Sequence, residues 1–236
     1  MTNEPGKIAI VQLAAGGALG GRYRDLVAPA LERNRVYCER QGYDYVLETD
    51  TSELSRDWGL GIRDWKEEGL ERSQWLRPAS WYKIPLLLRY MQHYRWTLCL
   101  DADAAVVRPD VRLEALLDDD FDVLTATDRP HAVAKGEPLN CGLLAVRNTP
   151  WARRFLDLVW EDPRWRENPL WEQDTINRFY REDTMDARRH LRALPETLVA
   201  MSDMHNRGGA VIVHFSGLSH KDLRLRMMKE LSLSDT

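Results

Sequence analysis

The chain is poor in cysteine, in long apolar runs and in net positive charge. Its 236 residues include only Cys38, Cys99 and Cys141, an odd number and widely spaced. They build neither a disulfide framework nor a zinc site, so a reduced, cytoplasmic setting is expected. No apolar run approaches the roughly 20 residues that span a bilayer. The opening MTNEPGKIAIVQLAAGG lacks the basic and apolar regions of a secretory signal. Lys plus Arg number 33 against 37 Asp plus Glu, a net charge of -4. That balance argues against a general nucleic-acid binder. Internal repeats and low-complexity linkers are also missing, which favours one domain over residues 1–236. With 44% hydrophobic and 30% charged residues, the chain has the balance of an ordinary globular protein.

Apolar runs and helical periodicity alternate from the start. Lys7–Leu13 reads as a buried strand, Tyr23–Gln41 as an amphipathic helix closed by Gly42, and Tyr43–Leu47 as a second strand. This β-α-β unit predicts an α/β fold with a central, mostly parallel sheet flanked by helices. Residues 51–78 break the pattern; they are highly charged and carry Trp58, Trp65 and Trp75. They read as an inserted lid or acceptor-binding loop. Ser80–Tyr94 is expected to be helical, with Trp81, Ile84, Leu87, Leu88 and Met91 on one face. Short strands are expected at Trp96–Leu100, Val123–Thr127, Gly142–Val146 and Val211–Val213, with edge strands in Arg192–Met201. Helices are expected at Pro150–Trp160, Trp171–Tyr180 and from Lys221 onward.

The sharpest feature is L-C-L-D-A-D, a buried strand that ends in Asp101 and Asp103. If the chain stays extended, the two side chains point the same way. Two like charges on one side call for a counter-charge, and a hard divalent cation is the usual one. The C-terminal end of a strand is also where ligands sit in an open α/β sheet. His214 follows another apolar strand and precedes a glycine turn. Its imidazole would complete a Mg²⁺ or Mn²⁺ site, with nitrogen ligation tilting the choice to manganese.

Several segments then line up in order. They are R-V-Y-C-E-R-Q-G-Y (Arg35–Tyr43), W-Y-K-I-P-L-L (Trp81–Leu87), D-A-D, L-N-C-G-L-L-A-V-R-N (Leu139–Asn148) with Trp151, W-E-Q-D (Trp171–Asp174) and V-H-F-S-G (Val213–Gly217). The ordered set, from about Lys7 to Lys221, resembles the retaining galactosyl/xylosyltransferase family. That family includes Golgi α-galactosyl-, α-mannosyl- and xyloglucan xylosyltransferases, and has the GT-A nucleotide-diphospho-sugar transferase fold. The resemblance implies transfer of a sugar from a nucleoside diphosphate sugar to an acceptor hydroxyl, assisted by Mn²⁺ or Mg²⁺ on Asp101, Asp103 and His214. It implies catalytic roles for Asp174, Gln173 and Asn140. It places Gln12, Ala14, Arg22, Lys83, Asp101, Ala102, Gly217 and Lys221 on the donor, with Gly142 allowing close backbone approach. The family's lysine six residues after the histidine is replaced here by His220, and Lys221 comes one later. The loop Gly16–Gly21 fits neither a P-loop nor a Rossmann fingerprint and reads as flexible. The resemblance also implies a front-face mechanism in which the leaving phosphate takes the acceptor proton, and the lack of an obvious, well-placed nucleophile fits it.

Two other readings stay open at this stage. A haloacid-dehalogenase-type phosphatase also places D-x-D after a strand; Asp101 would then be the nucleophile and Asp103 the acid/base, with Mg²⁺, and Asp118–Asp120 is available as an acidic loop. Nine tryptophans also permit a non-catalytic sugar-nucleotide-binding module.

Overall fold

The computed structural model describes residues 7–14, 21–50, 79–164, 171–201, 209–218 and 220–233. The expected insert 51–78 and the loop between residues 15 and 20 lie outside them.

Strand β1 (Ile8–Leu13) is buried along almost its whole length. An unbroken apolar run of this kind suits a strand covered on both faces. Helix α1 (Gly21–Gln41) follows and stops at Gly42, whose φ of 77° is the left-handed closure expected there. The chain returns as β2 (Asp44–Glu48), parallel to β1. The expected helix over 80–94 is three pieces: a 3-10 turn (Ala79–Tyr82), α2 (Lys83–Tyr90) and a second 3-10 turn (Met91–His93). Pro85 explains the α-helical start. In the first turn of α2 its missing N–H costs nothing, whereas deeper in a longer helix it would break a backbone bond.

Strand β3 (Trp96–Asp101) lies beside β1, parallel and in register Leu13↔Asp101. After β4 (Ala104–Val106) come β5 (Val123–Thr127), α3 (Pro130–Ala134) and β6 (Leu139–Arg147). Helix α4 (Pro150–Glu161) starts cleanly because Thr149 accepts a hydrogen bond from Ala152 N and Pro150 takes the first helical position. Helix α5 (Glu172–Glu182), α6 (Ala187–His190), β7 (Leu191–Leu194), β8 (Val199–Met201), β9 (Ile212–His214) and α7 (His220–Leu233) complete the order. No described helix is long and apolar enough to cross a membrane.

The main sheet runs β2-β1-β3-β6-β5-β7. Only β6 is reversed, pairing antiparallel with β3 and with β5, so five of the six strands point one way. A second sheet, β4-β9-β8, packs at the end of β3. Its strand β4 was not separable from loop by sequence, being three residues long, whereas β8 falls within the edge strands expected over Arg192–Met201.

Alternation along β3 divides the core. Cys99 faces the helical layer of Trp81, Leu87, Met91, Phe155 and Val159. Leu98 and Leu100 face Tyr37, Leu113, Val199 and Met201. A third cluster joins α1 to α7 through Val27, Leu31, Phe215, Leu223 and Met227. Burying each such large side chain stabilises the fold by about 1.5–3 kcal/mol. The three cysteines are free and buried.

Candidate active site

Asp101 is the last residue of β3, and the chain then turns through Ala102 and Asp103 before β4 begins. The two carboxylates therefore converge through a turn. Strand alternation, on which the expectation was argued, does not carry past Asp101. What brings His214 to them is the register of the second sheet, in which Ala104 of β4 faces His214 of β9. A backbone bond from Phe215 N to Asp103 O, 2.8 Å, locks the same junction. Nε2 of His214 lies 3.4 Å from Asp101 Oδ2 and 3.3 Å from Asp103 Oδ1. One donor atom from each of the three lies within 4.8 Å of the others. Two hard carboxylate oxygens and one imidazole nitrogen on a small, half-buried patch fit a divalent cation such as Mn²⁺ or Mg²⁺.

Lys83, the first residue of α2, supplies fixed positive charge. Its Nζ sits 2.8 Å from Asp101 Oδ1, 2.5 Å from Glu172 Oε1 and 3.0 Å from the Cys141 carbonyl. Burial alone would lower the lysine pKa, but Asp101 and Glu172 outweigh it and hold Lys83 well above its usual range. Asp101 is opposed by burial in the same way. Lys83 and His214 nevertheless keep its carboxyl well below the ordinary value. Glu172 is pushed up by burial and by Asp101, against the pull of Lys83. Its Oε2 is buried and has no hydrogen-bond partner among the described residues.

Sequence reasoning passed over Glu172, because an acid in a first helical turn is ordinary helix chemistry. Trp171 gave no warning either. It enters α5 at φ 58°, ψ -128°, a sparsely populated conformation for a large side chain. Glu172, the next residue, is buried against Lys83.

The remaining expected site residues divide into those that face the site and those already engaged. Gln12 is fully buried, and its amide is spent on the scaffold: Nε2 donates to Asp101 O at 2.9 Å, while Oε1 accepts from Asn34 Nδ2 and Tyr45 OH. Asn34 also holds Ala104 O and Val106 N. The pair thus clamps both sides of the D-A-D turn. Ala14 and Ala102 are buried in the third apolar cluster. Gln173 Oε1 accepts from Cys141 N at 2.9 Å, and its Nε2 donates to Asp128 Oδ2 at 3.1 Å. Asp174 is half-buried one residue further along α5. Asn140 lies inside β6, not in a turn before it, beside His214. Gly217 has φ 77° next to Arg129, whose Nη2 donates to Ser216 O and Oγ. Arg129 thus brings a guanidinium to the H-F-S-G turn, another group that the sequence did not single out. The side chains of Arg22 and Lys221 lie outside the described part.

The acidic run Asp118–Asp120 belongs elsewhere. Asp119 bonds Arg95 and Trp96 Nε1, and Asp118 bonds Arg192. Trp96 starts β3 and Asp101 ends it, so this run sits about 16 Å from the site at the opposite end of the strand. The phosphatase reading needs these acids beside Asp101 and is not supported.

His214 links this geometry to pH. Burial would depress its pKa, but Asp103 and Asp101 raise it from 6.5 to about 9. In the metal-free protein the imidazolium stabilises the fold fully below pH 6.5, and that contribution is lost as pH rises through about 9. A cation must displace this proton. Apparent Mn²⁺ or Mg²⁺ affinity is therefore expected to rise by about tenfold per pH unit towards pH 9 and then level off. Calorimetric titration of the ion across this range checks it; a flat profile contradicts ligation by His214.

Comparison of the sequence with curated proteins found no match. Solved structures share the fold. A glycosyltransferase involved in glycosylation of the major capsid of PBCV-1 superposes with a TM-score of 0.65 at 16% identity, over 94% of this chain and 99% of that one. The galactosyltransferase LgtC, in complex with donor and acceptor sugar analogs, gives 0.59 at 15%, over 97% and 96%. Mouse xyloside xylosyltransferase 1 gives 0.51 at 10%, over 89% and 98%. The model of the nucleotide-diphospho-sugar transferase family matches residues 79–228. Lys83, the D-A-D turn, Asn140, Glu172 and His214 all fall within that stretch, which is more than half of the chain, and the protein belongs to that family of glycosyltransferases.

Proposed function

We propose that the protein is a divalent-cation-dependent, retaining glycosyltransferase that takes its sugar from a UDP- or GDP-sugar. The observation that carries this reading is the convergence of Asp101, Asp103 and His214 on one point beside Lys83. Among the described residues, three carboxylates, counting Glu172, are paired there with two cations, Lys83 and protonated His214. Such a centre repels a diphosphate unless further positive charge is present. A cation held by the three ligands would supply it as a Lewis acid that neutralises the leaving diphosphate. Lys83 is oriented by Glu172 and the Cys141 carbonyl, so its charge is already in place as the glycosidic bond breaks. Gln173 is pinned against β6, and Asp174, in the same turn, is the candidate group for the donor hydroxyls or the oxocarbenium-like transition state. Mn²⁺ suits the mixed oxygen and nitrogen donor set.

The acceptor would be a saccharide, a lipid-linked intermediate or a small molecule, with the tryptophan-rich segment 51–78 as its candidate docking loop within a single domain. Three free buried cysteines fit a cytoplasmic setting. The net charge of -4 speaks against a nucleic-acid partner.

A thermal-shift screen of UDP- and GDP-sugars with and without Mn²⁺ tests the reading. Stabilisation by one donor only when the ion is present is the expected result; no response to any activated sugar rejects it. Donor binding with neither hydrolysis nor transfer would instead favour a binding module. Asp174→Asn is expected to lower turnover by about a hundredfold while leaving donor affinity nearly unchanged. A defect confined to affinity removes Asp174 from the transition state.

A further inference from the structure

We propose that Asn140 and Gly142 act on His214 as positioning residues that fix which ring nitrogen faces the carboxylates. The proposal rests on the reading of Asp101, Asp103 and His214 as a cation site. Asn140 and Gly142 are two apart on β6, so both face the same side of the sheet. The β5–β6 pairing shifts register between Thr125 and Ala126, just where Asn140 sits. Such irregularities re-aim side chains.

The hydrogen bonds decide the chemistry. Gly142 N donates to Asn140 Oδ1 at 3.0 Å. A backbone N–H can only donate, so the atom that meets it is the amide oxygen, and the orientation of the amide is fixed. The same oxygen lies 3.0 Å from His214 Nδ1. An amide oxygen can only accept, so Nδ1 must carry a hydrogen. In the neutral ring the lone pair is then on Nε2, the atom that faces Asp101 and Asp103 at 3.4 and 3.3 Å. A ligating histidine commonly uses its second nitrogen in this way, and such outer partners set both ring orientation and basicity.

Gly142 supplies the space. A Cβ there would stand 2.0 Å from His214 Nδ1 and 2.2 Å from Cε1, closer than any real contact. Alanine at 142 and the observed ring position are mutually exclusive. Both Asn140 and His214 are 5% exposed, so water has little access to replace the bond.

The test uses the full chain. Calorimetric Mn²⁺ titration of Asn140→Leu is expected to show affinity about 10–100-fold below the parent. Asn140→Asp keeps an acceptor oxygen for both donors and should restore binding. Gly142→Ala should lose Mn²⁺ binding while Asn140 is intact. A merely structural role for Asn140 would lower thermal stability and leave the Mn²⁺ affinity of the folded variant unchanged, and that result overturns the proposal. Should Asn140→Leu fail to fold, ¹⁵N-histidine NMR of the metal-free parent at about pH 10 decides the point, with His214→Phe assigning the signal. One remaining proton on Nδ1 supports the proposal; a proton on Nε2 overturns it. A parent that binds neither Mn²⁺ nor Mg²⁺ sinks the cation reading and this one with it. A binding parent with an indifferent Asn140→Leu sinks this one alone.

Discussion

Asp103→Ala is expected to abolish cation-dependent donor binding and to cut kcat/KM by about a thousandfold, the equivalent of about 4 kcal/mol. The argument is local. Asp103 Oδ1 is one of two carboxylate oxygens that face His214 Nε2, and no other described acid stands near enough to replace it. Asp101 cannot serve alone, because its Oδ1 is already held by Lys83 at 2.8 Å. The fold should survive. The backbone oxygen of Asp103, not its side chain, accepts the bond from Phe215 N that ties the turn to β9. The variant loses one of the two counter-charges of the His214 imidazolium, but Asp101 keeps the other and the repulsion between the two carboxylates is relieved. The expected pattern is thus a near-normal melting temperature with no Mn²⁺-induced shift in the presence of UDP- or GDP-sugar. Donor binding that still responds to Mn²⁺ would place the cation elsewhere.

Lys83→Met should have the largest effect on stability. Lys83 is 4% exposed and binds two carboxylates and one carbonyl. Its removal leaves Glu172, which is 2% exposed, without a counter-charge among the described residues. Breaking a buried pair from one side costs about 3–5 kcal/mol. For a chain of this size that corresponds to a melting temperature about 10 °C lower. Replacing both partners behaves differently, since an apolar pair of similar volume is often neutral. Lys83→Met with Glu172→Leu is therefore expected to recover most of the lost stability and none of the lost activity. A single Lys83→Met variant that melts like the parent would mean that the ammonium is not the counter-charge of this cluster.

Particular residues show how far sequence reasoning reached. The D-A-D turn and His214 were legible because each directly follows a short apolar strand, and a strand that ends in acid or imidazole is a local signal. Lys83 was legible through its motif, but its bond to Glu172 was not, since the partners are separated by most of the central chain. Gln12 was placed on the donor by the resemblance alone; what the sequence did not show is that its amide holds the Asp101 carbonyl and is itself held by Asn34 and Tyr45. A glutamine in an apolar run signals that a partner exists, without saying which one. The antiparallel β6 was equally hidden, because an apolar strand buried on both faces reads the same in either direction.

By itself, then, the sequence determined the alternation of strands and helices, the acids at the end of β3 and the imidazole at the end of β9. Those features are written in hydrophobic period and in the residue that ends each run. Only the tertiary structure decided that they meet. The three-residue pairing of β4 with β9 sets His214 beside a turn that ends 111 residues earlier, at Asp103, and an absent side chain at Gly142 leaves room for its ring. Contacts across such separations depend on register and excluded volume, and neither leaves a periodic trace along the chain.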